Sequence, residues 1–386
     1  MSGALQLGRS KSGQRAIIAT VALVAILFPL AFDPLATQVN TAIYVVAYVM
    51  MALGLNIVVG FAGLLDIGYV AFYALGAYSI GWLASDHFTG VGGETGIHVL
   101  VSDLIASSPG IHLNFFLVLV AAMIIAAVMG ALIGLPTLRL RGDYIAIVTL
   151  AFGEIIGRIA LNGDEIPLGD YKLTAGQQAI APVDQPFLPG VNYEFDSAFN
   201  LRPYYWLGLA LLCFALFVNF RLRDSRLGRA WIALREDEVA AASMGVPLVR
   251  TKLLAYAAGA ALGGVAGAFL GSYTTAISSN QFEFSFSIFV LAMVILGGLG
   301  SIWGVVAGAT LLATIDRYII PEVLDDLPSK FGLDFRLTQL SFGIFGFLLV
   351  LIMVLRPEGL FPERRRKIEL TEGAGAADDS LYEARS

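Results

Sequence analysis

Long apolar runs separated by short polar segments set the hydropathy pattern of this chain. A helix needs about 20 mostly apolar residues, within a range of about 17 to 25, to cross the hydrocarbon core of a bilayer. Ten runs meet or approach this length. They lie approximately at residues 16–32, 41–60, 67–84, 113–135, 144–161, 204–220, 253–277, 285–299, 302–320 and 337–355. The pattern predicts an all-α polytopic membrane protein with about ten transmembrane helices.

Composition agrees with a chain that lies in lipid. Hydrophobic residues make up 57% of it and charged residues only 14%, against about 25% charged in a soluble domain. The net charge of -6 provides no basic field, which argues against a nucleic-acid partner. The single cysteine, Cys213, excludes an intramolecular disulfide.

Lysine and arginine are concentrated in four polar segments, which carry 18 of the 24 basic residues. These segments are residues 1–15, 136–143, 221–252 and 356–386. Because basic loops stay on the cytoplasmic side, and ten spans place both ends on one side, both termini are predicted to be cytoplasmic. The intervening segments 85–112 and 162–203 lean acidic and are predicted to be periplasmic.

These features predict one membrane unit with polar ends. Residues 1–15 form a cytoplasmic N-terminus, residues 16–356 a transmembrane domain, and residues 357–386 a disordered cytoplasmic tail. The first span follows three basic residues, as in a signal peptide, but lacks a clean small-residue cleavage site. We expect a retained helix, with cleavage as the alternative.

Glycines recur at helical spacing in the predicted spans. Lipid provides no hydrophobic drive between helices, so small residues that allow close backbone approach mark helix interfaces. Two series and one cluster stand out: Gly259, Gly263, Gly267 and Gly271; Gly300, Gly304 and Gly308; and Gly60, Gly63, Gly68 and Gly76. The series predict packing ridges, whereas the cluster predicts broken or re-entrant helices, with packing favoured over a pathway role. The junctions GFAGLLDIG and LGGLGSIWG are compatible with a duplicated unit, without establishing one.

The loop at residues 221–252 reads as short amphipathic helices. Asp224 or Ser225 can cap the start, and Gly245 before Val246 and Pro247 supplies a stop. A charged helix with small residues along one face suits docking of a cytoplasmic ATPase subunit. An interfacial helix on anionic lipid is the alternative. Alternating arginine and carboxylate at residues 235–238 fits protein docking better, although the residues alone leave both open.

Four stretches carry a resemblance to a known family. They read NIVVGFAGLLDIGYVAFYALGAY at residues 56–78, LRLRGDYIAIVTLAFGEI at 138–155, LGRAWIALREDE at 227–238 and FVLAMVILGGLGS at 289–301. In this order they resemble the LivM-type permeases of branched-chain amino acid ABC importers. The resemblance implies a bacterial inner-membrane permease, paired with a LivH-like permease, two cytoplasmic ATPases that bind ATP and Mg, and a periplasmic substrate-binding protein.

The same resemblance assigns a role to the loop at residues 221–252, which is similar to the EAA-like coupling segment of these permeases. It implies that the ATPase contact contains Gly228, Ala230, Arg235, Glu236, Asp237 and Gly245. One stretch departs from the family: TAGQQAI at residues 174–180 stands where the family often has TGGPNGI. This departure weakens the expectation of leucine-type specificity.

Polar and aromatic residues inside spans are candidates for the substrate pathway. Ionisable groups in a span point to function, and Glu154 and Arg158 are spaced to pair on one helix face, with Thr149 deeper. A structural ion pair is the alternative. The other pathway candidates are Tyr69, Phe72 and Tyr73, for which belt or packing roles compete.

Motifs for other functions are absent from the sequence. It contains no GxxxxGK followed by Ser or Thr and no HExxH, so the chain is expected to be neither an ATPase nor an enzyme and to hold no cofactor of its own. His87, His98 and His112 are too irregularly spaced to predict a metal site.

The predicted function is therefore that of an importer permease. The chain would form half of an ATP-driven pore for branched-chain or other hydrophobic amino acids. A related permease for urea, amides or other small polar solutes is one alternative, and a self-contained secondary transporter is another.

Overall fold

The structure is a computed structural model, and it describes most of the chain. The described residues are 20, 22–91, 96–102, 105, 107–137, 144–190, 193–325, 337–355 and 359–361. The predicted N-terminal segment 1–15, six residues of the loop 136–143 and nearly all of the predicted tail 357–386 lie outside them.

The described chain is mainly helical, and a helix coincides with each predicted span. The helices are α1 (Ala22–Ala31), α2 (Thr37–Phe61), α3 (Val70–Leu83), α4 (Phe115–Thr137), α5 (Tyr144–Asn162), α6 (Arg202–Arg223), α7 (Arg226–Glu236), α8 (Glu238–Ser243), α9 (Leu248–Thr274), α10 (Phe284–Gly297), α11 (Ile302–Leu324) and α12 (Ser341–Leu355). Within the described residues, six of them, α2, α4, α5, α6, α9 and α11, are long and apolar enough to cross a membrane. Ten crossings therefore remain a prediction.

Helix α9 lies at the centre, against α2, α3 and α4. Its glycines explain this position: Gly259 faces Gly54 and Val58 of α2, and Gly267 faces the backbone of α3. An added Cβ at these glycines would overlap with a neighbouring helix, so close approach needs glycine. The packing ridge predicted for α9 is confirmed.

The second predicted glycine ridge needs one correction. Gly304 and Gly308 pack on Gly297 of α10. Gly300, in contrast, precedes α11 and has a positive φ of 84°. It lies in the junction between α10 and α11, because a positive φ ends a helix rather than continuing it.

Two helices change winding along their length. Helix α2 becomes a π-helix over Asn56–Phe61, and α11 does so over Ile315–Leu324. After α2 the chain is not helical until α3 begins. This interruption, defined as the α2–α3 break (residues 62–69), lies where the glycine cluster predicts a broken segment. π-Helical turns often accompany functional sites.

Short strands cover the end of the molecule formed by segments 85–112 and 162–203, which departs from a purely α fold. They are β1 (Ala84–Ser85), β2 (Ile97–Val99), β3 (Ile111–Leu113), β4 (Pro167–Leu168), β5 (Tyr171–Lys172), β6 (Phe187–Leu188) and β7 (Tyr193–Glu194). Strand β3 pairs antiparallel with β1 and parallel with β2, while β4–β5 and β6–β7 are antiparallel pairs. Residues too polar and proline-rich for helices satisfy their backbone groups in this way.

The chain after α12 returns to the junction between α10 and α11. The N–H of Leu360 donates to the carbonyl of Leu296 at 2.8 Å, and the N–H of Phe361 donates to that of Gly297 at 3.2 Å. The first described residues of the predicted tail are thus hydrogen-bonded to the end of α10.

Candidate functional site

The loop at residues 221–252, hereafter the coupling loop, folds into two capped helices, α7 and α8. The Ser225 hydroxyl accepts a hydrogen bond from the N–H of Gly228 at 3.1 Å, which caps α7. Asp237 caps α8 by accepting from two of its backbone N–H groups at 2.8 and 2.9 Å. Gly245 follows α8 with a φ of +84°. The predicted helices, the cap at Ser225 and the stop at Gly245 are confirmed.

One side of the coupling loop is fixed to the membrane helices. Trp231 is fully buried and its Nε1 donates to the carbonyl of Thr251 at 2.8 Å. Lys252, with its side chain 3% exposed, forms an ion pair with Glu238 at 2.6 Å. A Cβ at Gly228 would overlap with the last turn of α6. These contacts make the helix pair a rigid attachment rather than a free loop.

The coupling loop also exposes apolar side chains among charged ones. Met244 is 86% exposed, and Val239 and Val249 are also exposed. We call these three residues the docking surface. Exposed apolar patches on an otherwise charged element mark contact surfaces. Methionine is flexible and polarisable, which suits a contact that changes shape.

Arg235 connects the coupling loop to the π-helical end of α2, and its side chain lies against Gly63 of the α2–α3 break. Its Nη1 donates to the carbonyl of Gly60 at 2.7 Å, and its Nη2 donates to Glu236 at 3.0 Å. One helical turn before Gly60, the Asn56 side chain accepts from the N–H of Gly300 at 2.9 Å. A displacement of α7 would therefore be transmitted both to the α2–α3 break and to the junction between α10 and α11.

The residues assigned to the ATPase contact by family resemblance do not share one orientation. Gly228 is buried and Arg235 is directed at Gly60, so both act inside the chain. Glu236, Asp237 and Gly245 are exposed, and Ala230 is partly buried. Their role in ATPase contact remains a prediction. The prediction omitted Met244 and Val239. An apolar residue in so charged a loop could have indicated a contact surface from the sequence.

The aromatic pathway candidates lie in the packed interior. The Tyr69 hydroxyl donates to the carbonyl of Gly259 at 2.8 Å, and the ring of Phe72 is buried. The Tyr73 ring lies 5.5 Å from that of Phe282, centre to centre. Their contacts hold α3 against α9 and against the segment before α10. A pathway role for them stays a prediction.

Thr149 ties α5 to the α2–α3 break. Its hydroxyl accepts from the N–H of Ile67 at 3.1 Å and donates to the carbonyl of Ala146, also at 3.1 Å. The side chain is buried. Movement of the break is thus coupled to α5 as well as to the coupling loop.

Glu154 lies one and a half turns further along α5, on its exposed face. Its carboxylate is 4.0 Å from Arg158, and the two side chains are 48% and 72% exposed. Both line a cavity of about 460 Å³ between α5 and residues 279–288. Charged groups on a membrane helix face a partner or water rather than lipid. The structure thus places Glu154 and Thr149 on the same helix but in different surroundings.

The three histidines do not form a common cluster. His112 is buried; its Nδ1 hydrogen-bonds to Asp184 at 2.7 Å and its Nε2 to the Pro109 carbonyl at 3.2 Å, and the Asp86 carboxylate lies 3.1 Å from Nε2. The ring of His98 stacks on His112, whereas His87 bonds to a backbone carbonyl. In the part of the chain that the structure describes, no three His, Cys, Asp or Glu side chains are arranged to hold a metal ion.

The pKa of His112 is raised above its ordinary value. Burial alone lowers it, but the hydrogen bond and charge of Asp184, the carbonyl of Pro109 and the charge of Asp86 outweigh burial. When protonated, the ring links β3 to the residues after β1 and to the loop before β6. This is a structural link at the end of the molecule that carries the short strands.

The fold defines a class, a multi-pass helical membrane protein that carries the loop at residues 221–252 at one end and cavities with charged side chains towards the other. Among known proteins, a family described as the permease component of branched-chain amino acid transport systems matches residues 37–353. The chain belongs to this family.

Individual relatives support the same assignment. The chain is 34% identical over 385 residues to the high-affinity branched-chain amino acid transport permease LivM of Escherichia coli, covering 95% of this chain and 79% of the relative. It is 28% identical to a probable LivM of Methanocaldococcus jannaschii, covering 82% and 91%, and 24% identical to the E. coli permease LivH, covering 81% and 90%. These relatives are named as permeases, not enzymes. No solved structure matches the chain.

Proposed function

We propose that the chain forms half of the translocation pore of an ATP-driven importer for branched-chain or other hydrophobic amino acids. The observation that carries this proposal is the coupling loop. It presents an apolar docking surface outward while Arg235 bonds inward to Gly60 at 2.7 Å. A loop connected in this way to a membrane helix suits a subunit that receives motion from an ATPase.

The partners follow from the resemblance and from the shared ancestry with LivH. A LivH-like permease would supply the second half of the pore, two ATPases would bind ATP and Mg at the coupling loops, and a periplasmic protein would deliver the substrate. The charged, exposed face of α5 supports a partner there, because Glu154 and Arg158 would otherwise face lipid.

The transport experiment uses proteoliposomes that contain the complete complex. We expect leucine uptake to require ATP, the binding protein and both permeases, since this chain has no ATPase motif. Uptake by the chain alone, driven by an ion gradient, would instead identify a secondary transporter. Uptake of urea or amides in preference to leucine would identify the related permease class.

We also propose ten crossings of the inner membrane with both termini in the cytoplasm. A cysteine-accessibility experiment tests this in a Cys213→Ser background, since the chain has a single cysteine. Phe199 is 77% exposed in the predicted periplasmic segment, and Met244 is 86% exposed in the coupling loop. An impermeant maleimide should label Phe199→Cys in intact spheroplasts and Met244→Cys in inverted vesicles only. The reverse labelling would overturn the orientation.

A further inference from the structure

The cavity beside α5 combines opposite charges with an apolar wall. Its volume is about 460 Å³, within the range that holds small ligands. Arg158 contributes a positive charge, while Glu154 on α5 and Glu283 before α10 contribute negative ones. Apolar side chains form another part of the lining: Leu161, Phe282, Phe284 and Ile288.

The ion pair in this cavity is free to exchange partners. Glu154 and Arg158 are 4.0 Å apart and largely exposed, and such a pair contributes only about 0–1 kcal/mol to stability. Arg158 presents several donors in a planar fork that matches a carboxylate better than a single point charge does. A ligand with its own carboxylate and ammonium could therefore replace this weak pair with two better ones.

Ser279, which lines the same cavity, has a buried hydroxyl without a partner in the described part of the chain. Ser279 is 6% exposed, and within the described residues its Oγ has no hydrogen bond. A buried polar atom without a partner calls for an explanation, such as a ligand or water. On the opposite wall, α5 has glycine at Gly153 and Gly157, so no side chain from these two positions narrows the cavity. A Cβ at Gly157 would lie 3.2 Å from the Phe282 carbonyl oxygen.

The cavity opens along α5 towards the outer end of the chain. It shares Glu154 and Arg158 with a second cavity of about 590 Å³. That cavity shares Asn162 and Glu165 with a third, of about 690 Å³, beside β5. Together the three form a strip of mixed polar and apolar lining that a substrate released at the outer end could follow.

We propose that this cavity is a transport site for a zwitterionic amino acid with an aliphatic side chain. The substrate carboxylate binds Arg158, its ammonium binds Glu154 and Glu283, and its side chain lies against the apolar wall. Ser279 donates to the carboxylate. This proposal rests on the proposed import of hydrophobic amino acids and adds the residues that recognise both charges.

The test measures leucine uptake by the complete complex in proteoliposomes at saturating binding protein. Arg158→Gln and Glu283→Gln should each lower the uptake rate roughly 10-fold, as expected for the loss of one charge-assisted hydrogen bond. Arg158→Lys should restore part of it. Glu322→Gln is the matched control, because it removes the same charge at an exposed position that lines none of these three cavities.

Photolabelling tests the site in the wild-type complex, so its result does not depend on whether the variants assemble. A diazirine analogue of leucine should label peptides that contain residues 153–161 or 279–288, and excess leucine should compete. Label confined to other segments, or Arg158→Gln and Glu283→Gln complexes that match the control, would overturn the site while leaving the proposed import intact. Absence of wild-type uptake would instead overturn the proposed import.

Discussion

For Arg235, the sequence predicted a functional residue but not the direction of its side chain. Alternation of arginine and carboxylate at residues 235–238 indicated a docking segment, and family resemblance placed Arg235 at the ATPase. In the structure its guanidinium turns inward, to the Gly60 carbonyl. Local sequence could not show this, because residue 60 is 175 positions away.

Arg235→Ala should uncouple ATP hydrolysis from transport. The variant loses a charge-assisted hydrogen bond of about 1.5–3 kcal/mol between α7 and the π-helical end of α2. We expect the ratio of leucine imported to ATP hydrolysed to fall about 10-fold in proteoliposomes. Arg226→Ala, at an exposed position at the start of α7, is the control. A ratio equal to that of the control would exclude transmission through Arg235.

His112 makes the outer end of the chain sensitive to pH. Its pKa lies above the ordinary value of about 6.5, so the charged ring contributes stability fully below pH 6.5. That contribution is lost as pH rises through the raised pKa. Limited proteolysis of segments 85–112 and 162–203 should therefore accelerate at alkaline pH.

Two variants separate His112 from general alkaline effects. His112→Gln should cleave at a rate that changes little with pH, because the titrating group is gone. His87→Gln should keep the wild-type profile, since that ring bonds only a backbone carbonyl, at 3.0 Å. An unchanged profile in His112→Gln would show that another group controls the response.

At the scale of elements, glycine decides which helices touch. Gly76 of α3 lies against Gly264 of α9, and a Cβ there would be 2.6 Å from the Gly264 Cα. Real Cβ contacts are never so short, so the two helices would have to separate. The interface between α3 and α9 therefore depends on the absence of a side chain.

Gly76→Ala should destabilise the chain by at least about 2 kcal/mol, through overpacking between α3 and α9. The measurement is the midpoint of thermal unfolding in detergent. Gly343→Ala is a matched helical control, because among the described residues no heavy atom lies within 4 Å of its Cβ position. Equal midpoints for the two variants would contradict the packing described for Gly76.

The change of winding within α2 and α11 shows what the hydropathy pattern cannot predict. Hydropathy predicted the positions of α2 and α11 because apolar length alone decides whether a segment suits a bilayer. It could not predict the π-helical turns at Asn56–Phe61 and Ile315–Leu324. Those turns depend on neighbours: Asn56 is held by Gly300, which comes from the other half of the sequence.

For the whole molecule, the relevant feature is the separation of two surfaces. The docking surface lies on the coupling loop, and the polar cavities extend along α5 to the opposite end. The π-helical end of α2 bonds Arg235 of the coupling loop through Gly60, and the α2–α3 break bonds Thr149 of α5 through Ile67. The motion of the ATPase would thus be received at one place and the substrate bound at another, and one non-helical segment would connect the two.

Met244→Glu should weaken assembly with the ATPase subunits. The change places a carboxylate on the most exposed apolar residue of the docking surface, and interface anchors dominate binding energy. We expect co-purification with the ATPase to fall about 10-fold or more. Leu168→Glu, an apolar-to-acidic change at the outer end, should leave it unchanged. Normal ATPase recovery with Met244→Glu would place the contact elsewhere.

The sequence by itself determined the membrane class, the positions of the helices, the coupling loop and the family. These follow from apolar length, basic-residue distribution and local motifs, which act within a few tens of residues. Tertiary structure alone decided that Arg235 bonds Gly60, that Ser279 and Glu283 join Glu154 and Arg158, and that Asn56 accepts from the N–H of Gly300. Each of these brings together segments far apart in sequence, so side-chain direction and long-range packing set them.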